Sequence, residues 1–572
     1  MKNESKDKLY YSAVICTCIF RLMLQIQLPL SLFANNVEDD LDMVNLAASI
    51  RNGSWLGVYD RHVLEKPPGY SLLLALFDYL RLPYSFAYGV LYIVASLVFL
   101  FVIRKLVTSR WIRYIVFCIV LFSPVLFSEV GGRIYNVSVG PALTLLIVSS
   151  YIALYVECNN GIKSMIPWIL SSSVFVSLAY LIRQDFVFLD LFAVGATIVI
   201  IVKLFTCKDR YGGRVKKSLC LAIPFVVLFL SVQLVCSINK KYYGLYTITD
   251  FTDTAFADVC TDLMLIDSEV DDSSVYVTRE AFDMAFDSSP TLNEIKPFFE
   301  DELNGVESLY DNGEIGREYY AWYIRWAASK AGIYNGDAVK TDAFFRQIDT
   351  ELKTAFDNGS LPKRERIIIS SMSPPLSGDE IGEIIHYSLS KGVWQVLTYS
   401  RSGEIPYVVD NTGGAVYPFI KVINQDGVSL PQLGDDITDS GLNGTAYYTH
   451  PYVEDRLVYI EFVSRAYRLL AIPVLILAII VFFVDLGACI IRIRNKEKHT
   501  LGLWILQLGL LLALWVNNII VAMNFYLIEE VGGNPIFYTG ASYTLWHIFC
   551  AIAVIRAADL MGAFITRKKS LN

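Results

Sequence analysis

Charge is scarce in this chain of 572 residues. Asp, Glu, Lys and Arg make up 18% of it, against about 25% in soluble domains, whereas hydrophobic residues reach 54% and the mean hydropathy is +0.45. These figures argue against a purely soluble protein and exclude a disordered chain, a collagen and a small disulfide-stabilised domain. The ten cysteines lie mostly within apolar runs and show neither zinc-site spacing nor a disulfide framework.

The charges that are present divide the chain. Residues 240–468 hold 37 acidic and 19 basic side chains, a net charge of −18, and the rest of the chain carries +10. We predict an acidic soluble segment inside a basic, apolar chain. The basic excess suits a membrane protein with cationic cytoplasmic loops rather than a nucleic-acid binder. The acidic segment, in turn, is poorly suited to bind an anionic polymer on its general surface.

Ten apolar stretches are long enough to cross a membrane, which takes about 20 residues. They are residues 10–33, 84–106, 111–128, 137–156, 165–182, 186–204, 217–238, 467–491, 500–525 and 537–562. Because Lys and Arg cluster in alternate connections, both termini are expected in the cytoplasm. The connections then expected outside are 34–83, 129–136, 183–185, 239–466 and 526–536. The first stretch contains Arg21 and Gln25 and lacks a small-residue cleavage site, unlike a signal peptide.

These patterns predict an all-α polytopic membrane protein of about ten transmembrane helices, with an extracytoplasmic α+β domain inserted between spans 7 and 8. The predicted parts are a transmembrane module at 1–238, the soluble domain at 239–466 and a second transmembrane module at 467–572. Within the soluble domain, residues 318–327 and 343–356 have helical spacing, and Asn358-Gly359 supplies a helix C-cap. Short β-like runs follow at 393–399, 407–409, 415–422 and 457–462.

The first loop, residues 34–83, concentrates the side chains that are candidates for chemistry. Asp39 and Asp40 directly follow the first span and open a short helix predicted at about 40–51. A helix N-terminus stabilises ionised carboxylates, and a general base has to be ionised. The simpler interpretation of the pair is helix capping. A second short helix is predicted at about 70–80, after the sequence KPPGY at 66–70.

The acidic pair, the step GSW at 53–55 and KPPGY at 66–70 together resemble the first-loop signature of the GT-C membrane glycosyltransferases, in particular their ArnT-like, protein-mannosyltransferase-like and Rgt-like branches. The sequence YLIRQD at 180–185 is similar to a Leu-x-Arg-x-Glu step that these proteins carry at a later span end. The resemblance covers roughly residues 10–240. It implies an inverting transfer of a sugar from a polyprenyl-phosphate carrier to an acceptor hydroxyl, with Asp39 as the base and Lys66 at the carrier phosphate. Relatives often have Asp-Glu where this chain has Asp39 and Asp40.

Such a transfer needs cations near the leaving phosphate, which departs as a stable anion without a separate general acid. Lys66, Arg133 and Arg183 lie at the predicted outer boundary and are the candidates. The alternative for each arginine is a side chain that reaches to the lipid headgroups. Asp40 is predicted as a second catalytic acid. Its ligand is left open between the acceptor, a metal ion and none. Whether the site binds a divalent metal ion is therefore left open, and no other cofactor is predicted.

Three further residues of the first loop, Tyr59, Asp60 and His62, are predicted to contact substrate, and Glu65 is another candidate. The simpler interpretation of His62 is a solvated loop residue. The helix predicted around 318–328 is rich in aromatic rings, which either stack on sugars or pack into a core.

An outer site favours a lipid-linked donor, because nucleotide sugars are generally confined to the cytoplasm. The expected acceptor is a cell-envelope glycan, a lipid or a protein, and the resemblance implies a bacterial plasma membrane. One alternative is a polysaccharide polymerase or ligase, which usually relies on Arg and His in a long late loop. The other is a transporter or a non-catalytic membrane scaffold, although the spans carry few charges and show no repeat. A glycine-rich phosphate loop, His-Glu-x-x-His, Cys-x-x-Cys and a nucleophile elbow are all missing.

Overall fold

A computed structural model describes residues 2–28, 30, 37–206, 212–268, 274–304, 313–400, 422, 445–494, 502–526 and 533–571. Helices make up 76% of these described residues. Over the described ranges there is no sheet, and strand-like pairing is limited to two isolated bridges, Ile266 with Lys363 and Ile367 with Leu376.

Within the part of the chain that the structure describes, ten helical segments are long and apolar enough to cross a membrane, which confirms the predicted integral membrane protein. They are Asp7–Ile26, Tyr84–Ile103, Arg110–Phe127, Asn136–Glu157, Ile162–Ile182, Gln184–Thr206, Arg214–Tyr243, Val458–Ile491, Trp504–Phe525 and Gly540–Gly562. We refer to them in this order as spans 1 to 10. Most lie within a few residues of the predicted stretches, because length and continuous hydropathy are strong signals.

Shorter helices fill the connections. In the first loop they are Asp42–Arg51 and Gly69–Tyr79, close to their predicted positions. Between spans 7 and 8 they are Ala255–Met264, Arg279–Ser288, Pro290–Asn293, Lys296–Leu303, Tyr319–Lys330, Ala338–Asp357, Gly378–Tyr387, Ser388–Val393 and Trp394–Thr398. Asn358 caps Ala338–Asp357 as predicted, with Gly359 at φ +77°.

The predicted α+β character of the inserted domain is wrong for the residues that the structure describes. The run 393–399 lies in the helices Ser388–Val393 and Trp394–Thr398, which pack beside spans 8 and 9, and 457–462 belongs to the long helix Thr445–Arg494. A short apolar run has no periodicity that separates a strand from a buried helix, and here the partner is another helix. The predicted runs 407–409 and 415–421 lie outside the described residues.

The two largest hydrophobic cores contain most of the buried apolar side chains among the described residues. The larger core joins the spans, including Tyr92, Leu146 and Trp546. The second joins the helices after span 7, but it also takes in Leu56 and Leu64 of the first loop. The first loop therefore packs into the core of the segment that follows span 7, and its polar residues lie between the two cores.

Candidate active site

Asp39 and Asp40 are adjacent in sequence but have different surroundings. A helical turn, Val37–Leu41, leads directly into the helix Asp42–Arg51. Consecutive residues on such a turn point in different directions. The Asp39 side chain is 26% exposed, whereas Asp40 is completely buried. The two carboxylates consequently meet different partners.

Asp39 is held by a cation and a phenol. Lys66 Nζ donates to Asp39 Oδ1 at 3.0 Å, and the Tyr135 hydroxyl donates to the same oxygen at 2.8 Å. Burial alone would raise the pKa of Asp39, but the charges of Lys66 and Arg133 and the hydrogen bonds from Lys66 and Tyr135 lower it to about 2. Asp39 is therefore ionised throughout the physiological pH range.

Lys66 lies at the centre of the site. Its ammonium bridges Asp39 and Glu65, whose Oε1 is 2.8 Å from Nζ. Burial would lower the pKa of Lys66, but these two carboxylates raise it well above its usual value. Two prolines follow Lys66, and Pro68 adjoins the helix Gly69–Tyr79. The prolines restrict the backbone next to the lysine and limit where its side chain can reach.

Asp40 pairs with Arg133, in the connection between spans 3 and 4. Arg133 Nε lies 3.1 and 3.0 Å from the two Asp40 carboxylate oxygens, and Nη2 lies 2.7 Å from Oδ1. The guanidinium also lies over the Tyr135 ring at 4.6 Å and the Phe537 ring at 4.8 Å. Burial would lower the pKa of Arg133, but the Asp40 charge raises it. This bidentate pair fixes Arg133 beside Tyr135.

Arg183 lies between spans 5 and 6, on the same side of the helices. Its Nη1 donates to Asn136 Oδ1 at 3.1 Å and its Nε donates to Asp185 Oδ2 at 2.9 Å. Its guanidinium is 5.2 Å from the centre of the Tyr538 ring, and its side chain is 20% exposed. The neighbouring residue Asn136 starts the segment that follows Tyr135. The structure thus brings Arg183 to the group that contains Asp39, Lys66 and Arg133.

The other first-loop candidates are engaged elsewhere. Tyr59 is buried, stacks on Tyr334 at 5.8 Å and lies 3.4 Å from an Asp250 carboxylate oxygen. Asp60 accepts hydrogen bonds from the backbone amides of His62 (2.9 Å) and Val63 (3.2 Å) and so closes a turn. These contacts give Tyr59 and Asp60 structural roles in the first loop.

Asp42, Glu65 and His62 form an acidic corner behind Lys66. His62 Nδ1 is 3.8 Å from Asp42 Oδ1. Asp42 Oδ2 and Glu65 Oε2 are buried without a hydrogen-bond partner among the described residues. Burial and the mutual repulsion of these carboxylates raise the pKa of Asp42 well above its usual value. Burial raises that of Glu65 to about 7. Across the described ranges, no three His, Cys, Asp or Glu side chains are arranged to hold a metal ion.

A buried ion pair ties the first loop to the segment after span 7. Arg325 Nη1 donates to Asp250 Oδ2 at 3.1 Å and Nε donates to the Arg61 carbonyl at 3.1 Å. The Asp250 amide in turn donates to the Leu64 carbonyl at 2.7 Å. Burial raises the pKa of Asp250 to about 6 despite the Arg325 charge, which opposes the shift. This contact holds the loop that carries Lys66.

Sequence reasoning did not single out Tyr135 and Trp322. Tyr135 lies two residues after Arg133, a predicted phosphate-binding cation. This closeness in sequence was the signal that could have identified Tyr135. Trp322 was visible only as one of several aromatic residues in its helix. Its ring centre lies 5.6 Å from Lys66 Nζ. More than 250 residues separate the two in sequence, so no local sequence pattern predicts this contact.

Comparisons of the chain with protein-family models, with curated proteins and with solved structures find no match. Function is therefore inferred from the site itself and from the short motifs that it contains.

Proposed function

We propose that this protein is an inverting glycosyltransferase of the GT-C type, which moves a sugar from a polyprenyl-phosphate carrier to an acceptor hydroxyl. The observation that carries the proposal is the contact between Asp39 and Lys66, a carboxylate and an ammonium 3.0 Å apart at the end of a set of apolar helices. Such a transfer needs, within one site, a base for the acceptor hydroxyl and a cation for the leaving phosphate. The two residues also belong to the motifs that resemble the GT-C first loop.

In the proposed reaction the Asp39 carboxylate takes the proton of the acceptor hydroxyl. The acceptor oxygen then bonds to the anomeric carbon from the side opposite the phosphate. The bond between that carbon and the phosphate oxygen breaks, and its electron pair leaves with the phosphate. Removal of the proton in the transition state contributes about 10²–10⁴-fold to the rate.

Lys66 and Arg183 are the proposed partners of the carrier phosphate. Both are partly exposed, with side chains 12% and 20% accessible. Arg133, by contrast, is committed to the buried Asp40. We therefore assign Arg133 a positioning role through Tyr135, and Asp40 the same role through Arg133.

The low pKa of Asp39 has a consequence for the order of events. Lys66 holds Asp39 so strongly that its carboxylate is a weak base in the free enzyme. A donor phosphate at Lys66 would compete for the ammonium and raise the pKa of Asp39. The base would then become effective only after the donor is bound.

The described spans offer a place for the lipid part of such a donor. A cavity of about 370 Å³ lies between spans 6 and 9, and its lining is almost entirely apolar. Phe188, five residues after Arg183, is one of the lining residues. An isoprenoid chain is itself apolar, so such a cavity suits part of it.

Purified protein in lipid nanodiscs, supplied with polyprenyl-phosphate sugars and cell-envelope extracts, tests the proposal. Asp39→Asn should lower transfer by at least about 10²-fold while the protein still folds and inserts. The matched control is Asp283→Asn, since Asp283 is 66% exposed and forms only a surface pair with Lys296. Normal turnover by Asp39→Asn would remove Asp39 from the mechanism.

We further propose that the site faces the exterior of a bacterial plasma membrane. Val58 is 82% exposed in the first loop, and Lys163 is exposed at the start of span 5, at the end of that span opposite Arg183. In intact cells a membrane-impermeant maleimide should label Val58→Cys, and it should label Lys163→Cys only after permeabilisation. The reverse pattern would place the site in the cytosol and contradict a lipid-linked outer donor.

A further inference from the structure

The aromatic helix, Tyr319–Lys330, has two different sets of rings. Tyr320 and Tyr323 are completely buried in the core of the segment after span 7. Trp322 and Trp326 are only half-buried and, four residues apart, lie on one face of the helix. That face meets the first loop, because Arg61 lies 6.0 Å from the Trp326 ring and Lys66 lies 5.6 Å from the Trp322 ring.

The Trp322 ring is held in a fixed orientation. Its centre is 5.2 Å from that of Phe251 at an interplanar angle of 65°, and Phe251 meets Phe256 at 5.3 Å and 72°. These edge-to-face contacts stabilise one orientation of the indole. A rigid, partly accessible aromatic face loses little conformational freedom when a ligand packs on it.

The position of this face relative to the charges indicates what it binds. Lys66 Nζ, the proposed phosphate ligand, lies 3.0 Å from Asp39 and 5.6 Å from the centre of the Trp322 ring. The latter distance is near the outer limit of a cation–π contact, about 6 Å, so the ammonium does not cover the ring closely. In a glycosyl phosphate the sugar is bonded directly to a phosphate oxygen. With the phosphate at Lys66, the sugar ring must lie in the immediate neighbourhood of that ammonium.

We propose that Trp322 forms one wall of the sugar subsite, on which the apolar face of the donor sugar stacks while its anomeric carbon lies toward Asp39. The inference rests on the proposed function and adds to it the side chain that binds the sugar. It also gives the segment after span 7 a direct part in the active site. Tyr135 is less suited to this role, because Arg133 lies over its ring at 4.6 Å and its hydroxyl is bonded to Asp39.

Binding measurements in nanodiscs separate the sugar from its carrier. The probes are polyprenyl phosphate alone and polyprenyl phosphate bearing mannose, glucose or arabinose. We expect Trp322→Leu to bind bare polyprenyl phosphate within about twofold of the wild type, but to lose about three- to tenfold in affinity for the sugar-bearing donor that the wild type prefers. Trp322→Phe, which keeps an aromatic face, should recover most of that loss. The matched control is Trp326→Leu, on the same helix face but beside Arg61, and it should bind both probes like the wild type.

Each of the other outcomes would overturn the inference, and each for a different reason. Equal losses for the bare carrier and the donor would mean that Trp322 only holds Lys66. An unchanged donor affinity in Trp322→Leu would mean that the ring does not touch the sugar. A wild type that binds no polyprenyl phosphate would overturn the proposed function itself, and the sugar subsite with it.

Discussion

Arg133 and Asp40 form a bidentate ion pair across 93 residues, with Arg133 Nη2 2.7 Å from Asp40 Oδ1 and the carboxylate fully enclosed. The pair joins the first loop to the connection between spans 3 and 4. Because Tyr135 follows Arg133 in that connection and donates to Asp39, the buried pair also sets the geometry of the partly exposed carboxylate next to it.

Removing one partner of this ion pair should strongly destabilise the folded protein. Arg133→Gln leaves the Asp40 carboxylate buried without its counter-charge and should lower the free energy of unfolding by ~3–5 kcal/mol. The double variant Asp40→Leu with Arg133→Met removes both charges and should be clearly more stable than Arg133→Gln. Thermal unfolding in detergent measures both. The control is Arg81→Gln, because Arg81 is 72% exposed and its partner Asp78 also contacts Arg51. Equal melting temperatures for Arg133→Gln and the control would contradict the argument.

The ion pair between Arg325 and Asp250 makes a different prediction. Arg325 Nε donates to the carbonyl of Arg61, which is a trypsin cleavage site. Arg325→Met removes that contact and leaves Asp250 without its counter-charge, so the first loop should separate from the aromatic helix more often. We expect trypsin to cut the bond after Arg61 at least about tenfold faster than in the wild type, as followed by mass spectrometry. Arg346→Met is the control, since Arg346 is 64% exposed and pairs with Asp342 at the surface. An unchanged cleavage rate would mean that other contacts, such as the Asp250 amide to Leu64, suffice.

Hydropathy and cation placement predicted the ten spans and both first-loop helices, because a spanning segment is defined by its own residues. The motifs predicted that Asp39, Lys66 and Arg183 share one site, and Arg133 was added from its position at the predicted outer boundary. Motifs alone could not distinguish the two acids, since the difference between Asp39 and Asp40 arises from partners nearly 100 residues away. Val393–Tyr399 was predicted as a strand because its residues favour strands, but spans 8 and 9 provide a helical partner. The aromatic helix that contains Trp322 was a candidate for stacking on sugars, but the sequence could not show which of its rings lies at the site, because the neighbouring Lys66 is in a distant part of the chain.

The pH dependence of stability should depend on Glu65. Burial raises its pKa to about 7, against 4.5 for an ordinary glutamate. The folded protein therefore binds this proton more tightly than the unfolded chain does, and the resulting stabilisation, present below about pH 4.5, is lost as the pH rises through about 7. The melting temperature of the wild type should accordingly fall between pH 5 and pH 8 by more than that of Glu65→Gln, which cannot ionise. Parallel slopes for the two proteins would show that Glu65 does not titrate in this range.

Gly69 should determine how closely Lys66 approaches Arg183. A Cβ atom at Gly69 would lie 2.5 Å from the carbonyl carbon and oxygen of Leu181, two residues before Arg183. Backbone atoms cannot move aside as a flexible side chain can, so Gly69→Ala must push the helix Gly69–Tyr79 away from the end of span 5. Overpacking of this kind lowers the free energy of unfolding by about 1–3 kcal/mol.

If Lys66 and Arg183 hold one phosphate, the same shift should weaken polyprenyl-phosphate binding about tenfold, measured in nanodiscs below the melting temperature. Gly161→Ala is the matched control, because a Cβ there meets nothing within 4 Å. A folded Gly69→Ala protein that binds polyprenyl phosphate like this control would mean that Lys66 and Arg183 do not act on a common phosphate.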